Sequence, residues 1–333
     1  MRLLDVKEIK CSDWDKLMAD SSVATWFQAR EAYEFYQNLS FLEAFAYAIE
    51  NGGLLKAVMV GFIQKEGGRI KQFFSRRAIV LGGPLLADDV TNEELTALLC
   101  VVKDKLKKKA IYIETRNFND YGRWKAVFEQ NGFEYEPHLN FHVNTESVEV
   151  AQSNVGKHRW RYIRISLRDG ASRVECPSHS QIVAYYEILR ELYQSKVKTP
   201  LFPLEFFEKL YEQKNARFFI VELEGVVIGG SVCVCLEGRA LYEWFVCGNE
   251  NYRKGIRPSS VATWLGIEYA AQNGYPVFDL MGAGKPNEKY GVRDFKAEYG
   301  GKLVEHGRFR KVCKPLLFQT GKIAVKIMKR KGS

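Results

Sequence analysis

Apolar positions along the chain alternate between helical spacing and strand spacing, and the alternation occurs twice. Thr91-Asn92-Glu93-Glu94 reads as a helix cap, and apolar residues then recur at helical intervals to about Leu106. A strand, Ala110 to Glu114, follows; a helix from about Asp120 to Gln130 stops at Asn131-Gly132, and a strand runs through Leu139 to Val143. About 167 residues later the same grammar returns. Pro258-Ser259-Ser260 opens a helix to Gln272, Asn273-Gly274 ends it, and Pro276 to Met281 is a strand. A helix around Glu288 to Glu298 and the pair Gly300-Gly301 lead into a last strand, Lys302 to Phe309. Phe128 and Phe295, and Gly132 and Gly300, hold equivalent places.

Paired strands precede each block. Phe41 to Ile49 and Leu54 to Gln64 flank Asn51-Gly52-Gly53; Arg217 to Leu223 and Val226 to Leu236 flank Glu224-Gly225, with Arg239 to Val246 as a third strand. Helices over Ser180 to Lys196 and Leu204 to Glu212, separated by Thr199 to Pro203, open the second half. The pattern predicts an α/β chain of two tandem domains, each a mixed sheet flanked by helices. They are expected at 1–150 and 151–312, with a linker near Thr145 to Asn154 and a basic amphipathic tail over 313–333.

Composition narrows the class. With 333 residues, 46% of them hydrophobic, the chain can bury one large core or two ordinary ones, which excludes disorder, collagen and coiled coil. The longest apolar run, Leu54 to Ile63, is broken by Lys56 and Gly61 and falls short of the roughly 20 residues of a membrane span. Met1 to Asp5 has no apolar core of a secretory signal, so the expected compartment is the cytoplasm. Seven scattered cysteines fit free, mostly buried thiols.

The net charge of +9 is uneven. Asn154 to Arg173 carries +5, with Lys157, Arg159, Arg161 and Arg164 interleaved with Trp160 and Tyr162, a pattern suited to phosphate contact and base stacking. Gly321 to Lys331 carries another +5 on an amphipathic end that could lie against an anionic membrane surface. Lys103 to Lys109 carries +4 at a helix C-terminus, where the dipole alone explains it. The remainder of the chain is mildly acidic.

Several standard sites are excluded by spacing. The five histidines are dispersed, no metal site is expected, and Cys233-x-Cys235 has no second pair. There is no Gly-x-Ser-x-Gly elbow, and Gly282-Ala283-Gly284-Lys285 lacks the span and the Ser/Thr of a phosphate loop. Chemistry is concentrated instead between Tyr242 and Gly301. Strand ends there deliver Glu243 beside Trp244, Asp279, and the loop Gly282 to Pro286, beyond the carboxyl ends of strands where open α/β sheets bind ligands. Lys285, Tyr290, Arg293 and Lys296 follow. A glycine turn leading into a solvated charged helix would explain the same residues.

The motifs Trp264-x-x-Ile267-x-Tyr269-Ala270-x-x-Asn273-Gly274, Phe278-Asp279-x-Met281-Gly282-x-Gly284 and Arg293-x-Phe295-Lys296-x-x-x-Gly300-Gly301 resemble the second domain of the FemA/FemB/FemX family. Ser21-Ser22-x-x-x-Trp26-Phe27-Gln28 and Gly82-Gly83-Pro84-Leu85 agree more loosely with the first. The resemblance implies two tandem GNAT-like (acyl-CoA N-acyltransferase-like) domains. It also implies transfer of an amino acid from aminoacyl-tRNA to the amino group of a peptidoglycan precursor; no bound cofactor is expected, and the chain is expected to be a monomer. Phe295 and Lys296 would border the channel where ester meets amine. Lys296 would stabilise the developing oxyanion, and Asp279 or Glu243 would take the amine's proton. Arg293, Lys285, Tyr290, Gly282, Gly284, Trp244 and Arg253 are the expected substrate-binding residues. Lys157, Arg159, Arg161 and Arg164 are the expected nucleic-acid contacts.

Two alternatives stay open. A coenzyme A-dependent N-acyltransferase would hold pyrophosphate at a helix N-terminus. In that place Arg253-Lys254-Gly255-Ile256-Arg257-Pro258-Ser259 has the charges without the glycine spacing, and Pro258 removes an N–H. The other alternative is a non-catalytic RNA-binding module using Asn154 to Arg173.

Overall fold

The structure, a computed structural model, describes residues 1–64 and 76–321. These described residues divide into two compact units, one lying within 1–138 and 305–333, the other within 139–304.

In the first unit, helices α1 (Cys11–Asp20) and α2 (Arg30–Gln37) accompany strands β1 (Arg2–Asp5), β2 (Leu42–Asn51), β3 (Leu54–Gln64), β4 (Arg77–Gly82) and the short β5 (Leu85–Leu86). Helix α3 (Asn92–Leu106) begins at the expected capping box: Thr91 Oγ1 accepts from the Glu94 amide at 3.2 Å and Glu94 Oε2 from the Thr91 amide at 2.9 Å. Its stripe Leu95, Leu98, Leu99, Val102 and Leu106 is buried in the first core. Then come β6 (Tyr112–Asn117), the short helix α4 (Lys125–Gln130) and β7 (Glu134–Glu136).

The second unit starts with β8 (Leu139–Asn144) and helices α5 (Val148–Asn154) and α6 (Lys157–Arg168). The stretch expected as a linker is therefore helix α5, capped by the Ser147 hydroxyl and anchored by fully buried Ala151. Next are β9 (Ser172–Val174), α7 (His179–Leu192), α8 (Leu204–Tyr211), β10 (Ala216–Leu223), β11 (Val226–Leu236) and β12 (Ala240–Gly248). Helix α9 (Pro258–Gln272) is apolar nearly all round, with Val261, Ala262, Trp264, Ile267 and Ala270 buried, and it is followed by β13 (Val277–Gly282), α10 (Gly291–Ala297) and β14 (Lys302–Glu305). The chain then returns to the first unit as β15 (Arg308–Val312).

The first sheet runs β1-β2-β3-β4-β6-β15-β7, with β5 paired to β3; the second runs β14-β8-β13-β12-β11-β10-β9. Each contains a parallel pair, β4 with β6 and β12 with β13, closing a helical crossover at the end of an antiparallel meander, as the pattern predicts. The last strands of the two halves are exchanged. β8 lies beside β13 in the second sheet, and β15 lies beside β6 in the first. The single strand expected over Lys302 to Phe309 is thus two strands in different sheets, broken at Gly307, whose φ of +63° suits a glycine. The unit boundary accordingly falls at Leu139 rather than at 150. Local periodicity identifies a strand but carries no record of which sheet it joins. The basic amphipathic end anticipated over the tail lies, from 322 onward, outside the described residues. Among the described residues no helix is long and apolar enough to cross a membrane.

Candidate active site

Strands β12 and β13 pair in parallel only from Ala240/Val277 to Tyr242/Asp279 and then separate. Two sequence features accompany the separation. Met281 takes φ +58°, rare for a residue with a side chain, and its amide donates to Asp279 Oδ1 at 2.6 Å. The pairing of β13 with β8 also slips between Asp279 and Gly282. Backbone carbonyls at the end of β13 thereby lose a neighbouring strand and require other donors.

Lys296 supplies them. Its ammonium, on α10 and 7% exposed, donates to the carbonyls of Leu280 and of Gly282, the latter at 2.8 Å. An ammonium has three N–H donors, so one remains for another partner. The first residue of β12 past the last parallel pair is Glu243, 3% exposed, whose Oε1 accepts from Thr263 Oγ1 of α9 at 2.8 Å while Oε2 is buried without a hydrogen bond. Burial pushes the Glu243 carboxyl up to about 7, against the opposing pull of Lys296 and of the Thr263 and Ser231 hydroxyls. Burial also lowers the Lys296 pKa, while Glu243 and Asp279 draw it back up. The site therefore holds a buried lysine amine and a proton acceptor tuned near neutrality.

The other expected residues are distributed around this pair. Asp279 is buried and caps its own bulge through Oδ1; Oδ2 lies 3.4 Å from His142 Nε2 of β8. Arg293 braces the loop Gly282 to Pro286 from within: its guanidinium donates to the carbonyls of Ala283 at 2.9 Å, Pro286 at 3.3 Å and Lys285. Gly284, at φ +77°, lies under the half-exposed Tyr290, whose ring is 2.8 Å from where a Cβ would be. Phe295 packs edge-on to Tyr299 at 5.5 Å. Arg159 belongs here rather than on a nucleic-acid surface: it stacks on Phe295 at 4.4 Å, pairs with Glu298 at 3.0 Å and donates to Ser260 Oγ. Trp244 points to the opposite face of the sheet, edge-on to Phe206 at 5.0 Å. Lys285 is exposed, and Arg253 pairs with Glu224 at 2.7 Å on the turn between β10 and β11, outside the Lys296 cluster.

One residue that sequence reasoning overlooked governs the start of α9. Glu250 Oε1 accepts from the Ser259 amide at 3.2 Å and the Ser259 hydroxyl at 2.5 Å, while Oε2 is buried without a partner. Pro258 at the preceding position has no N–H, and the Ser260 amide is turned to Arg257 O at 3.0 Å. A carboxylate of the chain itself therefore sits where an anionic ligand would meet the helix. Nothing in the local pattern around Gly248-Asn249-Glu250 signals it. Thr263 was equally hidden, since only the sheet brings it to Glu243.

Residues 156–296 match the family model described as an acetyltransferase (GNAT) domain. Similar solved structures cover both units: FemX has 15% identity over 96% of this chain and 99% of that one, at a TM-score of 0.72. The tandem GNAT protein from the clavulanic acid biosynthesis pathway has 9% identity over 94% and 98%, at 0.58. The chain has a tandem GNAT-like fold. L-PGS from Bacillus licheniformis is a third similar structure, at 14% identity over 93% and 96% and a TM-score of 0.56. No curated protein matches the chain by sequence. The GNAT family match ends at Lys296 and includes Glu243, Asp279 and the separated strands, so the cluster described above lies within the acyltransferase-like part of the GNAT-like tandem.

Proposed function

We propose that the chain is an acyltransferase that moves an amino acid from aminoacyl-tRNA to the amino group of a peptidoglycan precursor peptide. The observation that carries this reading is the buried Lys296–Glu243 pair in the opening between β12 and β13. An acceptor amine arrives protonated and must lose a proton before it attacks; Glu243, at about 7, accepts it on its carboxylate. Attack forms the N–C bond and places negative charge on the ester carbonyl oxygen, which the remaining N–H of Lys296 faces. Collapse breaks the C–O bond, the proton held by Glu243 passes to the departing ribose oxygen, and the carboxylate so freed takes the second proton from the new amide nitrogen and releases it to solvent.

Aminoacyl-tRNA is favoured over acyl-coenzyme A by Glu250. A pyrophosphate would meet a carboxylate and a proline at the start of α9 instead of free amides. The motif resemblance to the FemA/FemB/FemX family and the fold likeness to FemX support the cell-wall acceptor. Mass spectrometry of a peptidoglycan precursor incubated with charged tRNA and the protein tests the reading, with a mass gain of one aminoacyl residue expected. Calorimetric titration with acetyl-coenzyme A is expected to give no binding heat. Acetylation of the precursor from acetyl-coenzyme A, with no transfer from tRNA, overturns it.

A further inference from the structure

Helix α6 is built against its own electrostatics. Lys157, Arg161, Arg164 and Arg168 recur at intervals of four, three and four residues, so all four share one face, and all four are exposed. Like charges at this spacing weaken a helix. The first turn carries Lys157 and no acidic residue, and Gly156 at the N-cap offers no side-chain acceptor, so the helix dipole is opposed as well. Among the described residues, Lys157, Arg161 and Arg164 make no ion pair or hydrogen bond; Arg168 pairs with Asp169 at 2.8 Å. The opposite face is fully engaged: Ile163 and Ser166 are buried, Trp160 packs edge-on against Trp264 at 4.7 Å, and Arg159 braces Phe295.

The loop before α9 extends the charged face. The Arg257 amide donates to Ser166 Oγ at 2.9 Å and its guanidinium covers the ring of Tyr162 at 5.4 Å; on the same loop Lys254 is exposed, and exposed Arg253 pairs with Glu224 at 2.7 Å and interacts electrostatically with Asp169 at the end of α6. Tyr162 and Tyr252, 40% and 38% exposed, interleave with these cations. From Lys157 to Arg168 the stripe is about 16 Å long, enough to meet several successive backbone phosphates.

We propose that this face of α6, with Arg253, Lys254 and Arg257, docks the phosphate backbone of a structured RNA. The inference rests on the transferase reading above, in which that RNA is the body of the aminoacyl-tRNA. Guanidinium groups suit phosphate oxygens, and exposed tyrosines suit stacking. A membrane-lying helix needs a free apolar face to enter lipid, and the apolar face of α6 is packed against Trp264 and the core.

The test is binding of a fluorescently labelled, uncharged tRNA transcript to the full chain across a salt series. Wild type is compared with Lys157→Gln/Arg161→Gln/Arg164→Gln and with Lys105→Gln/Lys107→Gln/Lys108→Gln, which removes equal charge from the end of α3. In the α6 variant, affinity is expected to fall at least about tenfold, and the slope of log K against log salt to shrink by about two to three. Its thermal midpoint should be no lower than wild type, since like-charge repulsion is relieved, which separates lost contact from lost fold. The α3 variant should bind as wild type does. Equal weakening by both variants, an unchanged α6 variant, or α6-dependent binding to phosphatidylglycerol vesicles in place of RNA each overturn the proposal. Tight tRNA binding through α6 by a wild type that transfers nothing overturns the transferase reading and leaves this one standing; active transfer with an unaffected α6 variant does the reverse.

Discussion

The two parallel strand pairs of this chain do opposite things with the same topology. In the first unit β4 and β6 stay paired from Arg77/Tyr112 to Gly82/Asn117, whereas β12 and β13 separate after Tyr242/Asp279. Counted from the first parallel pair of each sheet, Glu114 stands where Asp279 does, and Val80, fully buried, where Glu243 does. The place of Lys296, the residue after Phe295, is taken in the first unit by exposed Glu129 after Phe128. Burial alone would raise the Glu114 carboxyl, but Arg116, Arg308 and Arg310 hold it down at about 2. One unit thus neutralises its buried acid within a closed sheet; the other opens the sheet and leaves a carboxylate near neutrality beside an ammonium. The GNAT family match lies in the open unit alone. A shared fold places the strands, and a few side chains at the point of separation decide whether chemistry follows.

The largest effect is expected from loss of the base. Glu243→Gln is expected to lower the transfer rate by about 10²–10⁴-fold. The fall in wild-type kcat/KM below pH about 7, as Glu243 takes up its proton, should vanish from the variant's pH profile. Lys296→Met should cost about 10²–10³-fold in kcat with the far-ultraviolet circular dichroism unchanged. Equal rates for wild type and either variant would remove the distinction between the units.

Glu114→Gln tests the closed unit by stability rather than rate. Removing the shared partner of three arginines should lower the unfolding free energy by about 3–5 kcal/mol in a urea titration at pH 7. Because the folded carboxyl titrates at about 2, below its ordinary 4.5, its contribution is complete above pH 4.5 and is lost as pH falls towards 2; the variant should lack that acid-sensitive component. Glu243 has the opposite sign. Its raised pKa makes wild-type stability decline from pH 4.5 to about 7, and Glu243→Gln should flatten that slope. The smallest effect is expected from Arg159→Lys, which keeps the charge but not the planar stack on Phe295; kcat should fall by about tenfold or less, with binding of tRNA retained.

Legibility in the sequence followed distance along the chain. Thr91 with Glu94, Pro258 at the start of α9 and Asn273-Gly274 at its end are local devices, and each helix appears where they predict. The candidate site was legible as a neighbourhood, the segment 242–301, but not as an arrangement. Lys296 and Arg293 read alike as charges on a short helix, yet one is buried against the end of β13 and the other is turned onto loop carbonyls. Arg159 read as one more cation of a basic run, whereas the 3.6-residue period rotates it away from Lys157, Arg161 and Arg164 to brace Phe295.

Neighbouring residues dictate the periodicity, caps, turns, the doubled order of elements and the three basic segments, and all of these could be read along the chain. Tertiary structure alone decided that β8 and β15 trade sheets, that β12 and β13 part after Tyr242/Asp279, and that Glu250 closes the start of α9. These outcomes depend on which strand lies beside which, a choice set by summed burial and backbone pairing over residues far apart in sequence. The pKa of Glu243 belongs to that second class, because burial, not residue type, moves a carboxyl to about 7.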